Sequence, residues 1–169
     1  MKKILLTVTI ILFCNNAKAL DLTQYEIAEP YKAPEIHFSD AIGGIHSLSS
    51  YEGKVVLLNF WSTWCVPCIE EMPALDRLAK SMEGRDVVVL PLSIDFKGAE
   101  AVEKFYKEQQ INNLPVYIDR KGKAFKDYKL QALPTSLIID RHGKVTAKVF
   151  GAIEWDSSEA KSYLVKVGR

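Results

Sequence analysis

Cysteine is scarce: the chain of 169 residues has three, too few for a small scaffold stapled by disulfides. A surplus of charge of one sign is missing too. Lys and Arg number 22 against 21 Asp and Glu, a formal charge of +1, so no electrostatic argument favours nucleic acid or an anionic membrane as the main partner. No internal repeat or low-complexity tract is present, which excludes a solenoid and a linker-like chain. What the chain does have is 48% hydrophobic and 25% charged residues, the mixture of one globular domain with its own core.

The first nineteen residues read as an address. Lys2 and Lys3 precede an unbroken apolar or small run from Ile4 to Phe13, which Asn15-Asn16 ends. Ala17-Lys18-Ala19 then sets small residues at the two positions a signal peptidase reads, so residues 1–19 are expected to be a secretory signal peptide and the protein periplasmic. An uncleaved membrane anchor is the alternative, although the run has about half of the roughly 20 residues needed to span a bilayer. Lipoprotein processing at Cys14 would want a small preceding residue, and Phe13 is bulky; Cys14 reads as a small hydrophobe of the leader. Without the leader, 19 basic residues face 21 acidic ones. Two cysteines, Cys65 and Cys68, then remain in a compartment that permits disulfides.

Residues 20–34 are polar, contain Pro30 and Pro34 and show no period, the pattern of an extended N-terminal arm. From residue 35 to 169 the pattern is that of one domain. Ile36, Phe38, Gly43-Gly44, Ile45 and Leu48 suggest a short hairpin. Val55–Phe60 and Val87–Leu92 are apolar runs of strand length, as in central strands buried on both faces. Between them, positions 65, 68, 72, 75, 79 and 82 form a helical stripe, and a second helix is expected over about 99–109. Strands follow at 116–118, 136–140 and 145–150, with Asp119–Lys123 read as a solvated turn. A last helix starts near Asp156 as its N-cap, with Glu159 three residues on, burying Ala160, Leu164 and Val167. The expected fold class is α/β: a three-layer sandwich around a central mixed sheet with an N-terminal β-hairpin.

The chemistry concentrates at Trp61-Ser62-Thr63-Trp64-Cys65-Val66-Pro67-Cys68, which leaves a buried strand and opens a helix. There the first cysteine sits at a helix N-terminus, where unpaired N–H groups favour its thiolate, and the second lies one turn in and more shielded. Pro67 suits the first helical turn. Cys65 is therefore expected to attack and Cys68 to resolve. A zinc knuckle needs two further ligands, and His37, His46 and His142 have no ligand spacing. A structural disulfide closing a two-residue loop would remove little chain entropy. Two inert reduced cysteines are out of place at a helix mouth in an oxidising compartment. Trp64, with Val66 and Pro67 beside the attacking cysteine, reads as a docking surface for partner peptides, and Trp61 as core.

Cys-x-x-Cys at a first helix, followed some 65 residues later by Leu133-Pro134-Thr135 before a strand, resembles the thioredoxin superfamily. Gly53-Lys54-Val55-Val56-Leu57-Leu58-Asn59-Phe60-Trp61, Glu71-Met72-Pro73, Pro134-Thr135-Ser136 and Asp140-Arg141-His142-Gly143-Lys144-Val145 sharpen the likeness to the TlpA/ResA/CcmG (DsbE) group of exported thiol–disulfide oxidoreductases, TlpA most of all. The resemblance spans about residues 33–150. It implies a cis bond before Pro134, with Leu133, Pro134 and Thr135 forming a substrate-docking edge. It also implies cysteine-containing clients prepared for haem attachment or copper insertion, and a membrane electron donor of the DsbD or CcdA kind.

Where thioredoxin carries a buried aspartate, this chain has Asn59, which takes no proton as a carboxylate would. Glu71 lies on one stripe with Leu75 and Leu78, whereas Glu70 points about 100° away. Burial there would raise its pKa, and the matching position in ResA-like proteins implies that Glu71 accepts the proton of Cys68. A plain first-turn charge favoured by the helix dipole is the competing reading.

No basic residue lies between Trp61 and Arg77, so beyond the helix no cation holds the Cys65 thiolate. Strong oxidants owe their potential to a much-stabilised reduced form, and its absence argues for a reductase. Pro73 removes an N–H within the first helix, where a kink is expected. A copper-handling metallochaperone of the same assembly setting is the main alternative, although Sco-type carriers use C-x-x-x-C with a distant His. A peroxidase would need T-x-x-C, and Thr63 stands two residues before Cys65. A non-catalytic adhesive module would leave the cysteine pair without a role.

Overall fold

A computed structural model of the chain describes residues 20–169; the expected signal peptide at 1–19, with Cys14, lies outside the described residues. The organising element is strand β4, Val55–Trp61, buried along its whole length. Because side chains alternate across a strand, Val55, Leu57 and Trp61 join the core on one face and Val56, Leu58 and Phe60 the core on the other. Asn59 falls in the first set by the same period. That single parity places a polar side chain under the face on which the first helix packs.

The remaining strands are β1 (Glu26–Lys32), β2 (His37–Asp40), β3 (Ile45–Ser47), β5 (Val87–Ser93), β6 (Tyr117–Ile118), β7 (Thr135–Ile139) and β8 (Lys144–Phe150). They form one sheet in the order β1-β8-β7-β4-β5-β6-β2-β3. β4, β5 and β6 run parallel, and the other pairings are antiparallel, so the sheet is mixed as expected. Helices α1 (Val66–Ser81), α2 (Ala99–Gln109) and α4 (Ser158–Val167) supply side chains to one core, among them Met72, Leu75, Phe105 and Leu164. The five-residue α3 (Lys123–Asp127), Tyr128 and the β2 residue Phe38 build the other. Among the described residues no helix is long and apolar enough to cross a membrane.

The structure departs from the sequence expectations in three places. Residues 20–34, expected as an extended arm ahead of the domain, pack onto it: Leu22 is buried in the α1-side core and β1 pairs antiparallel with β8. The strand escaped a periodicity reading because it is an edge, mostly exposed and carrying Pro30, which an edge tolerates. The N-cap of α4 is Ser157, whose hydroxyl accepts the Ala160 N–H at 3.2 Å; Asp156 instead accepts from Arg77 of α1 at 2.6 Å. Its buried stripe includes Tyr163, and Val167 is only half-buried. Asp119, read as part of a solvated turn, is buried and accepts the N–H groups of Ala124 and Phe125, both at 2.9 Å, which starts α3. Helix α1 runs unbroken from Val66 to Ser81 with Pro73 inside it.

Candidate active site

β4 ends at Trp61 and α1 begins at Val66, so residues 62–65 turn the chain from the sheet into the helix. Asp95, two residues past β5, anchors that turn. Its buried carboxylate accepts the Thr63 N–H at 2.9 Å, the Thr63 hydroxyl at 2.6 Å and the Ser93 hydroxyl at 2.6 Å. Cys65 follows as the N-cap of α1, extended at φ −92° and ψ 105°, and its carbonyl accepts the first helical bond from the Ile69 N–H at 3.0 Å. The first-turn N–H groups of Val66 and Cys68 have no acceptor within the helix, and Pro67 has no N–H to leave unpaired. The positive end of the helix dipole therefore lies at Cys65.

Cys65 and Cys68 are joined in a disulfide, their Cα atoms 5.2 Å apart. Cys65 is 7% exposed and Cys68 fully buried. The asymmetry fits an order of events in which the outer sulfur meets a partner and the inner one resolves.

Asn59 and Glu71 meet in the core behind this pair. Glu71 lies three residues past Cys68, on the same helical face, and is 2% exposed. The Asn59 amide donates from Nδ2 to Glu71 Oε1 at 2.7 Å and to Ser136 Oγ at 2.9 Å. From the connection between β8 and α4, Trp155 Nε1 donates to Glu71 Oε2 at 3.1 Å, and the Ile153 N–H also donates to the carboxyl. Burial pushes the Glu71 carboxyl up to about 7, against the opposing pull of these three donors. A carboxyl so placed takes or returns a proton near neutral pH at little cost. Glu70, next in sequence, is exposed.

Around the pair, Trp64 and Val66 are 58% and 65% exposed, and Pro67 is exposed as well. The Leu133–Pro134 bond is cis. Leu133 is half-buried, but Pro134 and Thr135 are buried, and the Thr135 hydroxyl turns inward to donate to the Ala132 carbonyl at 2.7 Å. The Thr135 side chain points into the fold, because β7 has already started there. Trp61 is fully buried, stacked on Tyr106 at 5.8 Å between ring centroids. Among the described residues no group of three or more His, Cys, Asp or Glu is placed to hold a metal ion.

Sequence reasoning missed Trp155, Asp95 and Phe96. Phe96 is 95% exposed and shares with Trp64 a cavity of about 560 Å³, walled also by Lys97, Lys104 and Phe105. Ser-Ile-Asp at the end of a buried strand was a usable signal for Asp95, since a carboxylate there must find donors. For Trp155, no spacing links residue 155 to residue 71.

A buried strand, a turn held from the neighbouring strand, a cysteine pair at a helix N-terminus and a cis-proline leading into the strand paired with β4 define the thioredoxin-like thiol–disulfide oxidoreductases. The chain belongs to the AhpC/TSA family, whose model matches residues 30–148. It is 34% identical over 175 residues to the thiol-disulfide oxidoreductase ResA of Bacillus cereus, covering 99% of both chains. Among solved structures it is similar to the thiol:disulfide interchange protein DsbE of Chlorobium tepidum, with TM-score 0.73 and 26% identity over 85% of this chain and 99% of that one. It is also similar to the pneumococcal exposed lipoprotein thioredoxin Etrx1 of Streptococcus pneumoniae, with TM-score 0.67 and 32% identity over 79% of this chain and 99% of that one.

Proposed function

We propose that the protein is an exported reductase of protein disulfides, acting in the periplasm on cysteine-containing clients made ready for haem attachment or copper insertion. The observation that carries the reading is an outer Cys65 and a buried Cys68 with the buried Glu71 one turn further along the same helical face, held there by Asn59 and Trp155. In the reduced protein, the Cys65 thiolate attacks one sulfur of a client disulfide. The client S–S bond breaks, a Cys65–client disulfide forms and the first client thiolate leaves. Cys68 gives its proton to Glu71 and attacks the Cys65 sulfur, so that the Cys65–Cys68 bond forms and the second client thiolate leaves. Two electrons have passed to the client. A dithiol donor of the membrane DsbD or CcdA kind returns them, and Glu71 gives the proton back to Cys68.

Trp64, Val66, Pro67 and the backbone of Leu133, Pro134 and Thr135 form the docking surface in this reading. The absence of a basic residue in the first turn of α1 supports the reducing direction. The Thr63 hydroxyl is committed to Asp95, which argues against its use in a peroxidase site. The test is a trapping experiment. Reduced Cys68→Ser mixed with a peptide carrying an oxidised C-x-x-C-H segment is expected to accumulate a disulfide from Cys65 to the peptide. Cys65→Ser is expected to trap none, and trapping through Cys68 would overturn the assignment of roles.

A further inference from the structure

Glu71 is met by donors on two sides, and they differ in kind. Asn59 presents an amide, which can turn through 180° to offer either its N–H₂ or its carbonyl. Its Oδ1 is buried without a hydrogen-bond partner in the orientation found, so a turned amide would have an acceptor ready for a protonated Glu71. Trp155 has no such freedom, because an indole N–H only donates. Its bond to Oε2 favours the ionised carboxyl and weakens when a proton arrives.

We infer that Trp155 is a positioning residue for Glu71: its indole N–H fixes the carboxyl beside Cys68 and lowers the affinity of Glu71 for the proton that Cys68 gives up. The inference rests on the reading of Glu71 as proton acceptor and extends it to a residue outside the cysteine motif. The placement of Trp155 is over-determined. The ring is fully buried in the core shared by α1 and α4. The Trp155 backbone N–H donates to the Ile153 carbonyl at 3.0 Å, and the Ile153 backbone N–H itself donates to Glu71. The next residue, Asp156, bonds Arg77 at 2.6 Å and so ties the segment to the helix that carries Glu71. The hydrogen-bond partners of the Glu71 carboxyl are Asn59 from β4, with Ser136 of β7 behind it, and Trp155 and the Ile153 N–H from the β8–α4 connection; Cys68 lies one turn earlier on the same face of its own helix. None of these is charged, and no ionised group contributes to the displacement of the Glu71 pKa. With charges absent, the donors are what oppose burial.

The test is the titration of Glu71 itself in the disulfide form, where the cysteines do not titrate, followed by carbon-13 NMR of labelled glutamate. Trp155→Phe keeps an aromatic ring and removes the N–H. The Glu71 midpoint is expected to rise by roughly one to two pH units, the worth of a hydrogen bond to a charged group. The pH profile of disulfide exchange should move up with it. A purely structural role would lower stability and leave the midpoint in place, and an unmoved midpoint in folded Trp155→Phe overturns the inference. If that variant fails to fold, the indole N–H resonance of the unmodified protein decides. It is expected to titrate with Glu71 and to lose that titration in Glu71→Gln, and an indole resonance that does not titrate overturns the inference. The underlying reading fails separately: exchange rates in Glu71→Gln that match the unmodified protein at every pH remove the acceptor role, and the inference with it, even where the midpoint shift is seen.

Discussion

Asp95 and Thr63 are joined twice, by the Thr63 N–H at 2.9 Å and the Thr63 hydroxyl at 2.6 Å, so one carboxylate past β5 clamps the turn that leads into the cysteine pair. The clamp makes the position of Cys65 depend on a residue thirty places away. Asp95→Ala leaves the Thr63 N–H and the Ser93 hydroxyl without their buried acceptor. It is expected to lower the stability of the disulfide form by about 1–3 kcal/mol, read from urea unfolding, and to slow exchange with a client peptide. Asp95→Asn, which retains one acceptor oxygen, should lie between.

Glu71 gives stability a pH dependence of definite sign. The unfolded chain releases this proton near the ordinary 4.5, and the folded protein holds it to about 7. Between those values the native state binds more protons, so stability falls as pH rises, by a total on the order of 3 kcal/mol. Denaturant midpoints of the disulfide form at pH 4.5, 6, 7 and 8 should trace this decline. Glu71→Gln should flatten it over the same window, while exchange slows above neutral pH.

Trp64 is expected to behave in the opposite way to Glu71. Its side chain is mostly in solvent, so Trp64→Ala should change stability by no more than about 0.5 kcal/mol. Its effect belongs in docking: KM for a protein client should rise severalfold, while the rate with a small thiol reagent such as dithiothreitol stays close to that of the unmodified protein. An equal loss with both would mean that Trp64 shapes the reacting pair and not the client surface.

How much of this was legible in the sequence follows from the range of the interactions. Strand β4 and helix α1 announce themselves through local periods of 2 and 3.6 residues, and the cysteine pair sits where those two periods meet. Glu71 was readable for the same reason, since its stripe is fixed by Leu75 and Leu78 within two turns. β1 was not, because an exposed edge strand carries no apolar alternation and is defined by pairing with β8 more than a hundred residues away. Trp155 was silent too. Its partner lies 84 residues away, and that distance is closed by β8 and the start of α4, not by any spacing. Asp119 and Asp156 were misread because the acceptor needs of α3 and the reach of Arg77 are set by tertiary packing.

The direction of electron flow is the centre of the proposal, and the midpoint potential of the Cys65–Cys68 couple tests it most directly. Equilibration of the full chain in thiol buffers, followed by alkylation trapping, gives that value. With the helix N-terminus as the stabiliser of the Cys65 thiolate and no first-turn cation, a potential near the thioredoxin end, roughly −270 mV, is expected. A value near the strong-oxidant end, roughly −120 mV, would make the protein a donor of disulfides and contradict the reductase assignment.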